Sequence, residues 1–241
     1  MSGQPHGPLP AFDTVPPMGT SLWILMTTAA VAVLLYADAS DNFPLKALSK
    51  ATASVGFMGT AVAQGALDSG YGIAVLVGLG LSLLGDLFLL RREDLWFLAG
   101  LGSFLLAHLT YSVAFFRFGV NWTWAGLALL PLAGLLALLA PRIVRGAPSE
   151  LRAPVVVYIT VITAMVALAA GAVGAGGHRL MLVGAFAFMV SDVAVAEDQF
   201  IQSRFLNRLW GLPLYYGSQL CLAWTVGEFG PQCVNAVLGL A

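Results

Sequence analysis

Two aspartates stand inside apolar sequence, Asp86 in "LSLLGDLFLLRRED" (81–94) and Asp192 in "FMVSDVAVAED" (188–198). A charged side chain at the centre of a membrane helix costs about 2.5–3.5 kcal/mol on insertion scales, so carboxylates at such positions are rare and tend to be functional. The chemistry available to a carboxylate pair is proton transfer and the steadying of developing positive charge. Lys46 and Lys50 in "KALSK", His108 and Tyr111 in "FLLAHLTY", Tyr158, and Tyr215, Tyr216 and Gln219 in "YYGSQL" are the other polar groups set in apolar surroundings.

Each has a plainer reading. Either aspartate alone is accounted for by snorkelling or by pairing with Arg91, Arg92 or Arg204 at the headgroup level, and Lys46 by interfacial anchoring. His108 alone reads as a hydrogen-bonded interior histidine. Tyr215 and Tyr216 read as aromatic-belt residues, only one of which is expected to face the interior seam. The alternative chemistries lack their motifs. There is no G-x-S-x-G elbow, no H-E-x-x-H, no Gly-rich phosphate loop and no cysteine set beside a histidine. The histidines, His6, His108 and His178, fall at three levels of the chain, so no metal site is expected, and no cofactor. Cys221 and Cys233 match no disulfide or metal spacing.

The elements that must position these groups follow from composition. Of 241 residues 59% are hydrophobic and 10% charged, with a mean hydropathy of +0.87, which lies outside the range of soluble domains. Apolar stretches near 21–37, 44–66, 72–90, 95–116, 122–140, 153–173, 179–196 and 208–227 each approach the 17–25 residues that cross a bilayer core as helix. They are too long and too continuously apolar for barrel strands, and the 27 glycines suit close helix packing. The predicted fold is all-α: a polytopic membrane bundle of about eight helices over 21–229, with a disordered tail over 1–20 and a short C-terminal tail over 230–241. The likeness of "GLGLSLLGD" to "VGAFAFMVSD" is too slight to count as an internal repeat.

Charge sets the orientation. Lys46, Lys50, Arg91, Arg92, Arg142, Arg145, Arg152, Arg204 and Arg208 lie at odd-numbered connections, against Arg117 and Arg179 at even-numbered ones. The positive-inside rule then makes the odd connections cytoplasmic and both termini non-cytoplasmic, in a multi-pass protein of the cell membrane. On that frame helices three and seven both run inward and bring Asp86 and Asp192 to one level. Lys46, Lys50, Tyr158, Tyr215, Tyr216 and Gln219 fall within about three turns of the same face at 1.5 Å per residue. His108 is expected near the midplane as a floor, with Tyr111 one turn beyond.

The ordered set "KALSK", "GDLFLL", "FLLAHLTY", "GAFAFMVSD" and "YYGSQL", with its helix placements, resembles the YhhN family, which includes the lysoplasmalogenases; the resemblance spans roughly residues 22–227. Family members usually carry a lysine followed by proline at the start of helix two. Here Ala47 follows Lys46, so both Lys46 and Lys50 remain candidates. The resemblance implies hydrolysis of the vinyl-ether bond of lysoplasmalogen, an alkenyl lysophospholipid, to a fatty aldehyde and a glycerophospho-alcohol. That reaction needs an acid to protonate the alkene and a carboxylate to steady the oxocarbenium ion or activate water, much as in glycoside hydrolysis. Asp86 and Asp192 are the expected catalytic pair, with neither assigned as the acid. Lys46, Arg91 and Arg92 are expected to hold phosphate, and Lys50, His108, Tyr111, Tyr158, Tyr215, Tyr216 and Gln219 to complete the substrate site. The expected partners are a lysophospholipid substrate and membrane lipids, with no nucleic acid. The rival is a lipid or small-molecule transporter or flippase using the same Asp/Lys cluster, for which polar groups spread through the membrane depth would be expected. A photosensory reading lacks a Schiff-base lysine in helix seven or eight.

Overall fold

The computed structural model describes residues 18–91 and 93–229. Arg92, Cys233, residues 1–17 of the tail expected over 1–20 and the tail expected over 230–241 lie outside the described residues, whereas residues 18–20, expected in that tail, belong to the first helix. Within the described residues eight α-helices follow one another: α1 (Met18–Ala39), α2 (Phe43–Ala63), α3 (Gly70–Phe88), α4 (Asp94–Phe118), α5 (Trp122–Gly146), α6 (Ser149–Gly174), α7 (Arg179–Ala196) and α8 (Phe205–Trp224). A π-helical turn, Glu197–Ile201, extends α7, and a 3-10 turn, Thr225–Phe229, ends α8.

Helix starts are set by local chemistry. Asn42 accepts a bond from the Leu45 amide with Pro44 in the first turn of α2, and Ser69 accepts from Gly72. Asn121 accepts from the Thr123 and Trp124 amides, and His178 from Leu180. The α5–α6 connection differs from expectation. Arg142 and Arg145 belong to the end of α5 and Arg152 to the start of α6, leaving Ala147 and Pro148 between the helices. Apolar length marks the hydrocarbon crossing, whereas backbone bonding carries a helix on into the interface.

Seven helices close a circuit, α1–α2–α3–α4–α6–α7–α8 and back to α1, with α2 also against α8. α5 stands outside it, packed on α6 and the π turn. Among the described residues six helices are long and apolar enough to cross a membrane on their own; α2 and α8 are not among them. The reason is that these two carry the polar cargo. Ser49, Lys50, Ser54 and Thr60 on α2, and Tyr215, Tyr216, Ser218 and Gln219 on α8, are buried inside the bundle. Glycines allow close approach where rings cross helices. A Cβ on Gly85 would stand 2.7 Å from the Phe104 ring, and one on Gly78 2.5 Å from Tyr111. The glycine before Asp86 is thus a packing residue. The start of α1 and the end of α8 share one end of the bundle, where Gln64 bonds to both Thr20 and the Trp224 carbonyl.

Candidate active site

A cavity of about 540 Å³ opens where the cytoplasmic side is expected. Asp86, at the end of α3, and Asp192, at the end of α7, both line it, as do Lys46, Lys50, Arg91, Tyr158 and Tyr215. The common level inferred from chain direction is realised as a shared chamber.

The two carboxylates have different company. Lys50 Nζ lies 3.3 Å from Asp86 Oδ1. On the other oxygen, Oδ2, Ser54 donates at 2.7 Å, Tyr215 at 2.9 Å and Tyr216 at 3.3 Å. Asp86 is 2% exposed, and this anion is held by one ammonium and three hydroxyls of the protein. Both tyrosines of the pair reach it, against the expectation that only one faces the seam. Two long side chains about 100° apart on α8 converge on a single acceptor lying between their directions, with ring centroids 4.8 Å apart.

Among the described residues no ammonium or guanidinium pairs with Asp192. Tyr158 donates to its Oδ2 at 2.7 Å, and His108 Nε2 stands 3.4 Å from the same oxygen, off the line of a hydrogen bond. Its side chain is 16% exposed, toward the cavity. His108 itself is fully buried, edge-on to Tyr158 and tilted over Phe188 at 4.4 Å, behind the carboxylate rather than on the cavity wall. Phe188 and Phe104 pack against the Tyr215 ring between the two clusters, at 5.5 and 5.7 Å.

Tyr111 and Gln219 stand apart from the cavity wall. The Tyr111 hydroxyl donates to Gln219 Oε1 at 2.7 Å in the core. Arg91 lines the mouth and lies over the Trp96 ring at 5.4 Å. Lys46 is more than an anchor, because its Nζ lies 2.5 Å from Asp38 Oδ1, and Arg208 Nε lies 2.5 Å from Asp38 Oδ2. Arg208 also reaches both oxygens of Asp198 in the π turn, at 3.1 and 3.0 Å. This chain of charges rims the cavity. π turns recur at functional sites because they re-aim side chains.

Sequence reading missed Ser54, Asp38, Asp198 and the role of Arg208. Ser54 carried a usable signal, being one turn after Lys50 on the same face of α2. Asp38 closes α1 at the level of the other charges. Among the described residues no three His, Cys, Asp or Glu side chains converge as a metal site would require.

Fold and site define a polytopic helical membrane protein with two unlike carboxylates facing one cavity. The model of the YhhN family matches residues 45–226, more than half of the chain, and the chain belongs to that family. No curated protein and no solved structure matches it.

Proposed function

We propose that the protein is a membrane-embedded hydrolase that cleaves the vinyl-ether bond of an alkenyl lysophospholipid. The observation that carries this reading is the pair of carboxylates in one cavity with opposite surroundings, ionic for Asp86 and uncharged for Asp192. Paired groups whose environments differ in this way divide acid and base roles. Asp192, having no adjacent cation and being open to the cavity, carries the proton. Asp86, already compensated by Lys50, supplies fixed negative charge.

In the proposed reaction Asp192 protonates the alkene β-carbon, and the oxocarbenium ion so formed faces the Asp86 side of the chamber. Water adds to the cationic carbon and returns a proton to Asp192. The hemiacetal hydroxyl then gives up its proton as the C=O bond forms and the bond to the headgroup oxygen breaks, and that oxygen takes up a proton. Overall R–CH=CH–O–R′ plus water gives R–CH₂–CHO plus HO–R′, with no covalent enzyme intermediate. Tyr158 holds the acid through Oδ2, leaving Oδ1 for the proton. Lys46, Arg91 and Arg208 at the mouth offer phosphate contacts, with Lys46 and Arg208 held in place by Asp38. Under the charge asymmetry the mouth faces the cytoplasm and both termini the other side. A C-terminal phosphatase fusion active only outside the cytoplasm tests this, and a signal from a cytoplasmic reporter alone refutes it.

The deciding assay is aldehyde release by purified protein from an alkenyl lysolipid, with a saturated alkyl-ether analogue left intact. Fatty acid released from an acyl lysolipid at comparable rates would instead make it an esterase. One observation favours the transport reading: buried polar pairs continue along α8 and into the 3-10 turn beyond the cavity, at Tyr111–Gln219 and Tyr71–Thr225, both at 2.7 Å. Each pair bonds directly side chain to side chain, however, as structural pairs in a bundle do. Lipid movement between leaflets of proteoliposomes without aldehyde release would establish the transporter.

A further inference from the structure

The cavity does not end at the carboxylates. From their level it runs on between α5 and α7, walled by Leu135, Leu139 and Ile143 on one side and Phe186, Met189 and Val190 on the other, all of them apolar. Ile143 to Leu135 is about 12 Å along α5, and Asp192 to Phe186 about 9 Å along α7, at 1.5 Å per residue. The two helices line the same space without packing closely on one another. α5 is a loosely held wall. Only Ala125, Leu132 and Ile143 of its residues are buried, Pro131 and Pro141 interrupt its backbone bonding, and Arg142 ties it to Glu197 of the π turn at 3.0 Å.

We propose that this arm binds the single hydrocarbon chain of the substrate and sets its length limit, with Leu135 and Leu139 as the residues that determine it; this rests on the reading of the two-carboxylate cavity as the reaction chamber. The occupant follows from continuity. One space joins a rim of fixed charges, the two carboxylates and an apolar arm, in the order headgroup, reacting bond and chain of an amphiphile. A volume of about 540 Å³ for the whole, shared among rim, carboxylates and arm, is that of a small-molecule site. A chain in a bilayer is already out of water, so the apolar lining adds little driving force. What the arm imposes is geometric. It holds the first carbons so that the alkene lies at Asp192, and it stops chains that exceed its depth.

The experiment measures binding of saturated butyl and octyl ether lysophospholipids, which have no vinyl ether to cleave, to the full-length protein in nanodiscs by native mass spectrometry. Leu135→Trp should weaken octyl binding by about tenfold or more while leaving butyl binding within about twofold, because overpacking closes the far end, and Leu139→Trp, midway along the arm, should weaken octyl binding at least as much. Leu130→Trp, at a 71% exposed position of α5, should change neither. Should the tryptophan variants fail to fold, Leu135→Ala provides the opposite test, raising binding of a dodecyl ether relative to the octyl one. Equal effects on short and long chains, or the same effect from Leu130→Trp, would overturn the proposal. Aldehyde release separates it from the functional reading. If binding shifts toward short chains but wild type releases no aldehyde, the arm stands and the vinyl-ether reaction falls. Release with one chain-length profile in every variant has the opposite meaning.

Discussion

Asp86 and Asp192 close α3 and α7 at the same level, each after a small residue, and face the same cavity, yet their neighbourhoods have almost nothing in common. Around Asp86 the α2, α3 and α8 helices pack tightly and supply an ammonium and three hydroxyls. Around Asp192 a single phenol bonds and an imidazole stands by. One carboxylate is part of the structure of its corner, and the other is lodged in it. The difference shows how a bundle can give two identical residues unlike surroundings, and on the proposed reading the first serves as fixed charge and the second exchanges a proton.

The largest effect that would sharpen this contrast is loss of turnover. Asp192→Asn should lower aldehyde release by about 10² to 10⁴-fold, the range for removal of a general acid or base. The fold should lose only about 1 kcal/mol, since one neutral hydrogen bond changes. Near wild-type turnover in well-folded Asp192→Asn would end the assignment of the acid.

Asp86→Asn should cost both activity and stability. It leaves Lys50 buried without its counter-charge, a situation that typically costs about 3–5 kcal/mol. Adding Lys50→Met in the same chain should restore most of the thermal unfolding midpoint without restoring turnover. If Asp86→Asn and Asp192→Asn destabilise equally in detergent melts, the two corners are not as different as their contacts suggest. Combining the two Asn changes should lower activity by far less than the product of the single losses, because groups acting as one unit are non-additive.

A smaller change is expected at Tyr158→Phe, which removes the one hydrogen bond holding Asp192. Turnover should fall about tenfold, corresponding to about 1.4 kcal/mol, with little effect on stability. Ser54→Ala on the Asp86 side, where two other hydroxyls remain, should be milder still. Smallest of all, Arg91→Gln at the exposed rim should raise KM a few-fold and leave kcat unchanged, since a rim contact made equally in ground and transition states acts on binding alone. A fall in kcat instead would move Arg91 into the reaction.

The outline of this contrast was partly legible in the residues. Eight apolar stretches, two intramembrane aspartates and a one-sided distribution of Lys and Arg lead to a helical bundle with its polar groups on one level, because hydrocarbon thickness and helical rise fix depth from chain position. Ser54 was legible in principle, one turn beyond Lys50. Asp38 and Arg208 were not, since their importance lies in bonding each other across 170 residues of chain. The common level of Lys50 with both aspartates was visible, but not which of them it would serve.

Sequence by itself determined a multi-pass helical protein, the number and approximate limits of the helices, the family, and the shared level of Asp86 and Asp192, because all of these follow from local composition and the pitch of a helix; it did not place His108, expected as a floor and found behind Asp192. Tertiary structure alone decided azimuth: that Lys50 turns to Asp86 and Tyr158 to Asp192, that both Tyr215 and Tyr216 converge on one oxygen, and that α5 stands outside the ring of seven. Rotation of a helix about its axis, and its choice of neighbours, depend on how small and large residues of several helices interlock at once, as where Gly85 admits the Phe104 ring beside Asp86. No single segment contains that information.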